Sequence, residues 1–197
     1  MTSAEREILV ELDQILRSEK VQTLIRPVVE RVRAKLSQEQ DALMTWEPIP
    51  LTNYGEALPD PINSSWVFVL RAGANTGAER HPNSHQRMMS FDGSGDMQTE
   101  KKRELATANS SFDEKEDGRK ENCVRIDWEP NLLISDSNAP LEKRWISIPQ
   151  NVWHQPVVSK EADWVVVSFH TVLAEELIEE RPESSGQDRT KQMRYLG

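Results

Sequence analysis

The chain has 197 residues, of which 33 are acidic and 24 basic, giving a formal charge of −9 near neutrality and a mean hydropathy of −0.66. That length supports one domain of ordinary size with an appended element, and the acidic balance argues against nucleic acid or anionic membrane as principal partners, because phosphate binding relies on clustered Lys and Arg. Cys123 is the single cysteine, the first residues lack the apolar core of a secretory signal, and no apolar run approaches the ~18–20 residues of a membrane span, so a cytoplasmic protein is expected.

Residues 1–45 read as a helical segment. Ile8, Leu12, Ile15 and Leu16 share one helical face, and Val21, Leu24, Ile25, Val28, Val29, Val32 and Leu36 form a second amphipathic stretch. Thr2 and Glu5 have capping-box spacing, and Pro27 either kinks the segment or begins a second helix, so two helices are expected. Their polar faces are mixed in sign, which fits packing on the domain itself or on a partner subunit.

Residues 46–178 change in texture. Prolines at 48, 50, 59 and 61 forbid a helix interior, and short runs rich in β-branched and aromatic residues follow. These are Ser65 to Arg71, Gln86 to Phe91, Cys123 to Trp128, Arg144 to Ile148 and Asp163 to Val172. Several short strands with Gly and Pro between them predict an all-β sandwich or barrel. Residues 94–121 are charged and poor in large apolar side chains, so they read as a polar loop insertion. Residues 179–197 read as a polar C-terminal tail in which Tyr195 and Leu196 can dock back, and Val172 to Glu180 reads as a short helix. Cys123, alone in a strand-like run, reads as a small buried hydrophobe.

Chemistry concentrates on the histidines, all four of which lie between positions 81 and 170. Glu79 and His81 stand two apart, so on a strand they project to the same side, and the distant His154 can answer them. Two neutral imidazoles and one carboxylate form the ligand set associated with non-haem Fe(II), and similar donors serve Mn, Ni, Cu and Zn. His170 has no second ligand at useful spacing and reads as structural. Trp153, beside His154, can line a pocket wall. Arg71, Arg80 and Arg87 are candidate anchors for an anionic substrate, with Arg87 favoured only if His85, which shares its strand parity, faces inward. Serine-hydrolase elbow, phosphate loop and dinucleotide fingerprint are all absent.

The spacing Gly73, Glu79, His81, Gln86, Gly93 resembles the first motif of the cupin superfamily, with Glu79 and Gln86 at positions where that motif has histidine and glutamate. Pro149, Asn151 and His154 resemble the second motif, with Asn151 in place of a turn glycine, a mild change because Asn tolerates positive φ. The resemblance implies a mainly β fold, a single double-stranded β-helix or jelly-roll barrel with the N-terminal helical segment beside it. It also implies one divalent metal inside the barrel, most simply Fe(II), held by Glu79, His81 and His154. Gln86 completes the shell by register and His85, one residue away, by chemistry; the two alternatives stand side by side. The function expected is a metal-dependent dioxygenase acting on a small organic substrate; a non-enzymatic ligand-binding or sensor barrel, or an isomerase or lyase, is the alternative. A homodimer is expected from base rates.

Overall fold

Ser18 divides the N-terminal segment. In the computed structural model, which describes residues 1–55, 58–101, 126–182 and 193–194, it leaves the helical region and serves as last cap of α1 (Ser3–Arg17) and first cap of α2 (Glu19–Gln38). Its hydroxyl donates to the Ile15 carbonyl at 2.8 Å and accepts from the Val21 amide at 3.4 Å. Two helices are therefore present, but the second begins at Glu19 rather than at Pro27, which sits inside α2 at the cost of one ladder bond. At the start of α1, Thr2 accepts from the Glu5 amide at 3.2 Å, half of a capping box. The other half is missing because the Glu5 carboxylate is drawn away to Arg87 and Ser147.

Among the described residues, the strands form two large antiparallel sheets and one two-stranded pair. The first contains β1 (Met44–Pro48), β2 (Ser64–Leu70), β3 (Gln86–Asp92), β7 (Trp145–Ile148) and β9 (Trp164–His170) in the order β1-β2-β9-β3-β7. In the second, β4 (Ser94–Glu100) pairs with β5 (Trp128–Glu129), β6 (Leu132–Ile134) and β8 (His154–Val158). Bridges from Asn75 to Val157 and from Glu79 to His154 lay the segment before β3 along the free edge of β8. From β2 onward the chain passes back and forth between the sheets, staying in the second from β4 through β6, in the order of a double-stranded β-helix, and the fold is mainly β and of jelly-roll type.

The first sheet is covered on both faces, which explains why β9 is buried at every position instead of alternating. Val67, Val69, Met89, Val165, Val167 and Phe169 pack against the helix pair, while Leu70, Met88, Ile146, Ile148, Trp164 and Val166 fill the barrel. A short helix, α3 (Leu141–Arg144), precedes β7. Asp13 of α1, buried, takes the Arg144 guanidinium and the Trp145 indole N–H (2.9 Å) across the helix–sheet contact.

Residues 94–100 form β4, not the start of a loop. The segment is polar, yet Gly95 and Met97 are the residues that turn into the barrel, and a Cβ at Gly95 would stand 2.1 Å from the Trp164 ring. Small size, not hydrophobicity, admits that strand beside a buried indole. Residues 102–121 of the expected insertion, with Cys123, and also Tyr195 and Leu196, lie outside the described residues. The stretch expected as a short α-helix after Val172 instead carries a single 3-10 turn, Ala174–Glu176, and then β10 (Ile178–Glu179), which pairs with β11 (Met193–Arg194). Glu179 is fully buried there, so the chain beyond 178 does not begin as a solvated tail.

Candidate metal centre

Three ligand-type side chains converge between the sheets. Glu79 and His81 come from the segment bridged to β8, and His154 opens β8 itself; the Glu79 and His154 backbones exchange two hydrogen bonds of 2.8 Å. One ligand atom from each residue lies within 4.8 Å of those of the other two, and His154 Nε2 is 3.3 Å from Glu79 Oε1. That separation suits two donors each ~2.1 Å from a common tetrahedral or octahedral ion.

The histidine tautomers are set by backbone carbonyls. His81 Nδ1 lies 3.1 Å from the Ile178 carbonyl, and His154 Nδ1 lies 3.0 Å from that of Val152. A carbonyl only accepts, so each Nδ1 carries a proton, and in the neutral form of the ring the lone pair is then on Nε2, an arrangement typical of metal-ligating histidines. His154 Nε2 is buried without a hydrogen-bond partner. Burial, helped by His154 nearby, pushes the His81 ring down to about 4, against the opposing pull of Glu79 and the Ile178 carbonyl. Burial pushes the Glu79 carboxyl up, but the close approach of His154, with His81 and the Arg181 guanidinium beside it, outweighs this and holds Glu79 ionised well below the usual carboxylate range. Two neutral nitrogens and one anionic oxygen are the donors a divalent transition metal takes.

Gln86 faces the same interior. Its Nε2 donates to Ser168 Oγ at 3.1 Å, and its Oε1 is buried without a hydrogen-bond partner. Glu79, His81, Gln86, His170, Trp66 and Phe68, with Leu177, line a cavity of about 10 Å³, room for one water-sized group. His170 spans two hydroxyls, Ser84 at 3.2 Å and Ser168 at 3.0 Å, and stands edge-on to His81 and Trp66; burial, first, and the nearby histidines hold it well below its ordinary range.

His85 and Arg87 point the other way. His85 Nε2 meets Ser147 Oγ at 2.7 Å, outside the three-residue cluster, so it does not complete the shell. Arg87, expected as a substrate anchor, forks onto Glu5 of α1 at 2.7 and 2.9 Å on the helix-covered face. The physical reason is parity: once Gln86 and Met88 face the barrel, their neighbours face the helices. Arg71 binds the carbonyls of Leu36, Glu39 and Ala42 at the end of α2, and Arg80 pairs with Glu180 while stacking on Trp153 at 4.6 Å. Trp153 therefore does not line the small cavity; it borders a wider hollow of about 1210 Å³ with Glu5, His85, Thr99 and Ser147.

Sequence reasoning missed Arg181. Its Nη2 lies 2.8 Å from Glu79 Oε2, an ion pair although the N–H does not aim along a lone pair, its Nη1 donates to the Thr76 carbonyl at 2.8 Å, and its Nε binds Glu179. Its segment runs as an edge strand beside the ligands, with Arg80 and Glu180 exchanging two backbone bonds of 3.0 Å. No spacing signal could have found it, since it lies in a charged stretch far along the chain from Glu79.

No family model matches the chain, and no curated protein matches it in sequence. Among solved structures, it is similar to hazelnut (Corylus avellana) vicilin, with a TM-score of 0.47 and 10% identity over 72% of this chain. It is also similar to a mutant salicylate 1,2-dioxygenase from Pseudoaminobacter salicylatoxidans in complex with gentisate, with a TM-score of 0.44 and 13% identity over 76% of the chain. A third is the capsular polysaccharide assembling protein CapF from Staphylococcus aureus, with a TM-score of 0.43 and 12% identity over 77%. The matched region spans 33%, 32% and 32% of those chains, about a third of each. Among the described residues, no helix is long and apolar enough to cross a membrane.

Proposed function

We propose that the barrel holds one divalent transition metal, Fe(II) in the first instance, on Glu79, His81 and His154, and that the protein is a metal-dependent dioxygenase of a small organic molecule. The observation that carries the reading is the pair of backbone carbonyls that turn both imidazole lone pairs toward the Glu79 carboxylate. When bound, such a metal supplies Lewis acidity and, for iron, the redox capacity that oxygen chemistry needs.

The chain's own residues divide the remaining work. Glu79 brings the anionic donor, and the locked tautomers remove rotational freedom from His81 and His154. Gln86 offers a weak neutral oxygen at the edge of the shell, oriented through its amide by Ser168. Trp66, Phe68 and Leu177 exclude bulk water from that side, which strengthens every charge interaction within. Mn, Ni, Cu and Zn accept the same donors. A cytoplasmic homodimer acting on a small-molecule substrate completes the reading.

A second reading rests on the small cavity. Its roughly 10 Å³ admits no organic substrate beside the ligands without movement, so the same donors also fit a non-enzymatic ligand-binding or sensor barrel, or isomerase or lyase chemistry at a rearranged site. Anaerobic reconstitution with Fe(II), followed by elemental analysis, tests the metal. Near-stoichiometric iron in the wild type, lost in Glu79→Ala, His81→Ala and His154→Ala, is expected. Folded wild-type protein that retains no iron, manganese, nickel, copper or zinc overturns the proposal. Oxygen uptake by the iron form with a panel of small acids and thiols separates a dioxygenase from a silent barrel.

A further inference from the structure

A run of buried polar side chains leads away from the small cavity and ends on a backbone carbonyl. Gln86 Nε2 lies 3.1 Å from Ser168 Oγ, Ser168 Oγ lies 3.0 Å from His170 Nε2, and His170 Nδ1 lies 3.2 Å from Ser84 Oγ. The far end fixes the direction. Ser84 accepts from the Thr171 amide at 3.1 Å and gives its one proton to the His85 carbonyl at 3.2 Å, so toward His170 it accepts. Nδ1 of His170 therefore carries a proton. The ring is buried between two hydroxyls and the rings of Trp66 and His81, where a charge would be costly, so it is neutral and its Nε2 takes the Ser168 proton. Ser168 then accepts an N–H from Gln86. With every proton of the relay pointing away from the cavity, the amide turns its nitrogen to Ser168 and its oxygen inward. Gln86 Oε1 is buried there and has no hydrogen-bond partner among the described residues.

We infer that this relay presents Gln86 Oε1 as a hydrogen-bond acceptor to the open position of the centre, which therefore takes a neutral ligand whose metal-bound atom keeps a hydrogen. Water, a hydroxyl or an amine nitrogen meets that description; the inference rests on the metal site proposed above. Gln86 lines the cavity together with Glu79 and His81, and a volume of about 10 Å³ fits one water-sized group. A group placed there reaches an ion on those ligands and the amide oxygen at once. An acceptor left unpaired in the interior is destabilising, so a ligand that brings a hydrogen is favoured over one that has none. The amide oxygen is a weak donor to a transition metal but an ordinary acceptor. Ser168, His170 and Ser84 act through the amide as positioning residues.

The test compares two small neutral probes on full-length protein of confirmed metal content: ammonia on the Co(II) form at pH 9, by visible absorption, and nitric oxide on the Fe(II) form. Both displace water, which donates to Gln86; ammonia replaces that hydrogen bond and nitric oxide does not. Gln86→Leu and Ser168→Ala are expected to tighten nitric oxide by about three- to tenfold, the strength of one neutral hydrogen bond, and to leave ammonia within about twofold of wild type. Ser168→Thr keeps the hydroxyl and holds both probes within about twofold. Ser84→Ala, at the far end of the relay, gives the same comparison where a nearer variant fails to fold. Probes that move together in the variants mark a merely structural role and overturn the inference. Nitric oxide weakened in Gln86→Leu means that the amide presents its nitrogen, which also overturns it. Loss of Co(II) from Gln86→Leu alone makes Gln86 a ligand of the ion and overturns it as well. Wild-type protein that takes up no Co(II) overturns the metal reading itself, whereas loaded protein that binds both probes equally in every variant overturns the acceptor assignment alone.

Discussion

Replacing Glu5 by Ala leaves the Arg87 guanidinium buried against the helix-covered face of the first sheet without its partner. The Arg87 side chain is 4% exposed, two of its nitrogens fork onto Glu5, and the third, Nη1, already lacks a hydrogen bond. Breaking a buried pair from one side costs about 3–5 kcal/mol, because the remaining charge is neither hydrated nor compensated. Against a whole-domain stability of roughly 5–15 kcal/mol this is a large fraction, and for a chain of this size it lowers Tm by about 6–20 °C. Urea unfolding followed by near-ultraviolet circular dichroism reads it, since Trp145 lies at the same contact. The double variant Glu5→Leu, Arg87→Leu recovers to within about 1.5 kcal/mol of wild type, because apolar groups replace the pair together. Glu142→Ala serves as control: its pair with Arg6 is about half exposed (52% and 58%), and its loss leaves stability near that of the wild type. A Glu5→Ala protein within about 1 kcal/mol of wild type would refute the placement of Arg87.

Two further predictions concern the site. His81 is held at about 4 against an ordinary 6.5, so in the metal-free protein its contribution is fully present above about pH 6.5. As pH falls toward 4 the unfolded chain takes the proton first and about 3 kcal/mol is lost; urea midpoints between pH 7.5 and 4 should show this slope, and His81→Asn should flatten it. His85 and His170, both lowered by burial, add slope of the same sign, and the Glu5 carboxyl, lowered despite its burial by Arg87 and Ser147, adds loss at still lower pH. Asn151 sits at φ 63 in the turn before β8 and donates its amide to the His81 carbonyl at 3.0 Å. Asn151→Ala should cost about 1 kcal/mol by denaturant unfolding and Asn151→Gly a few tenths or less, with equal stabilities ruling out backbone strain at that turn.

The sequence made the barrel interior readable where residue type and period agreed. Glu79 and His81 share a face by simple alternation, His154 follows a proline turn, and Asn151 adopts the positive φ its side chain tolerates. The outward face of the first sheet was harder. Because helices cover it, β9 reads as one continuous apolar run, and nothing local says whether Gln86 or its neighbours His85 and Arg87 look inward. β4 was hidden for a different reason: its barrel-facing Gly95 fits by absence of a side chain, which no hydrophobic pattern registers. Arg181 and the Ile178 carbonyl were invisible because they reach Glu79 and His81 only through the edge strand formed at 178–180, a contact of tertiary origin.

Strand β9 is a party wall between two chambers with different duties. Trp164, Val166, Ser168 and His170 belong to the barrel, and Val165, Val167 and Phe169 to the helix contact. Substitutions there sort by parity: even positions alter the surroundings of the ligands, and odd ones the docking of the helices. The chamber can thus acquire new polar chemistry at even positions while the helix seam is conserved in kind, so that two properties drift independently along seven consecutive residues.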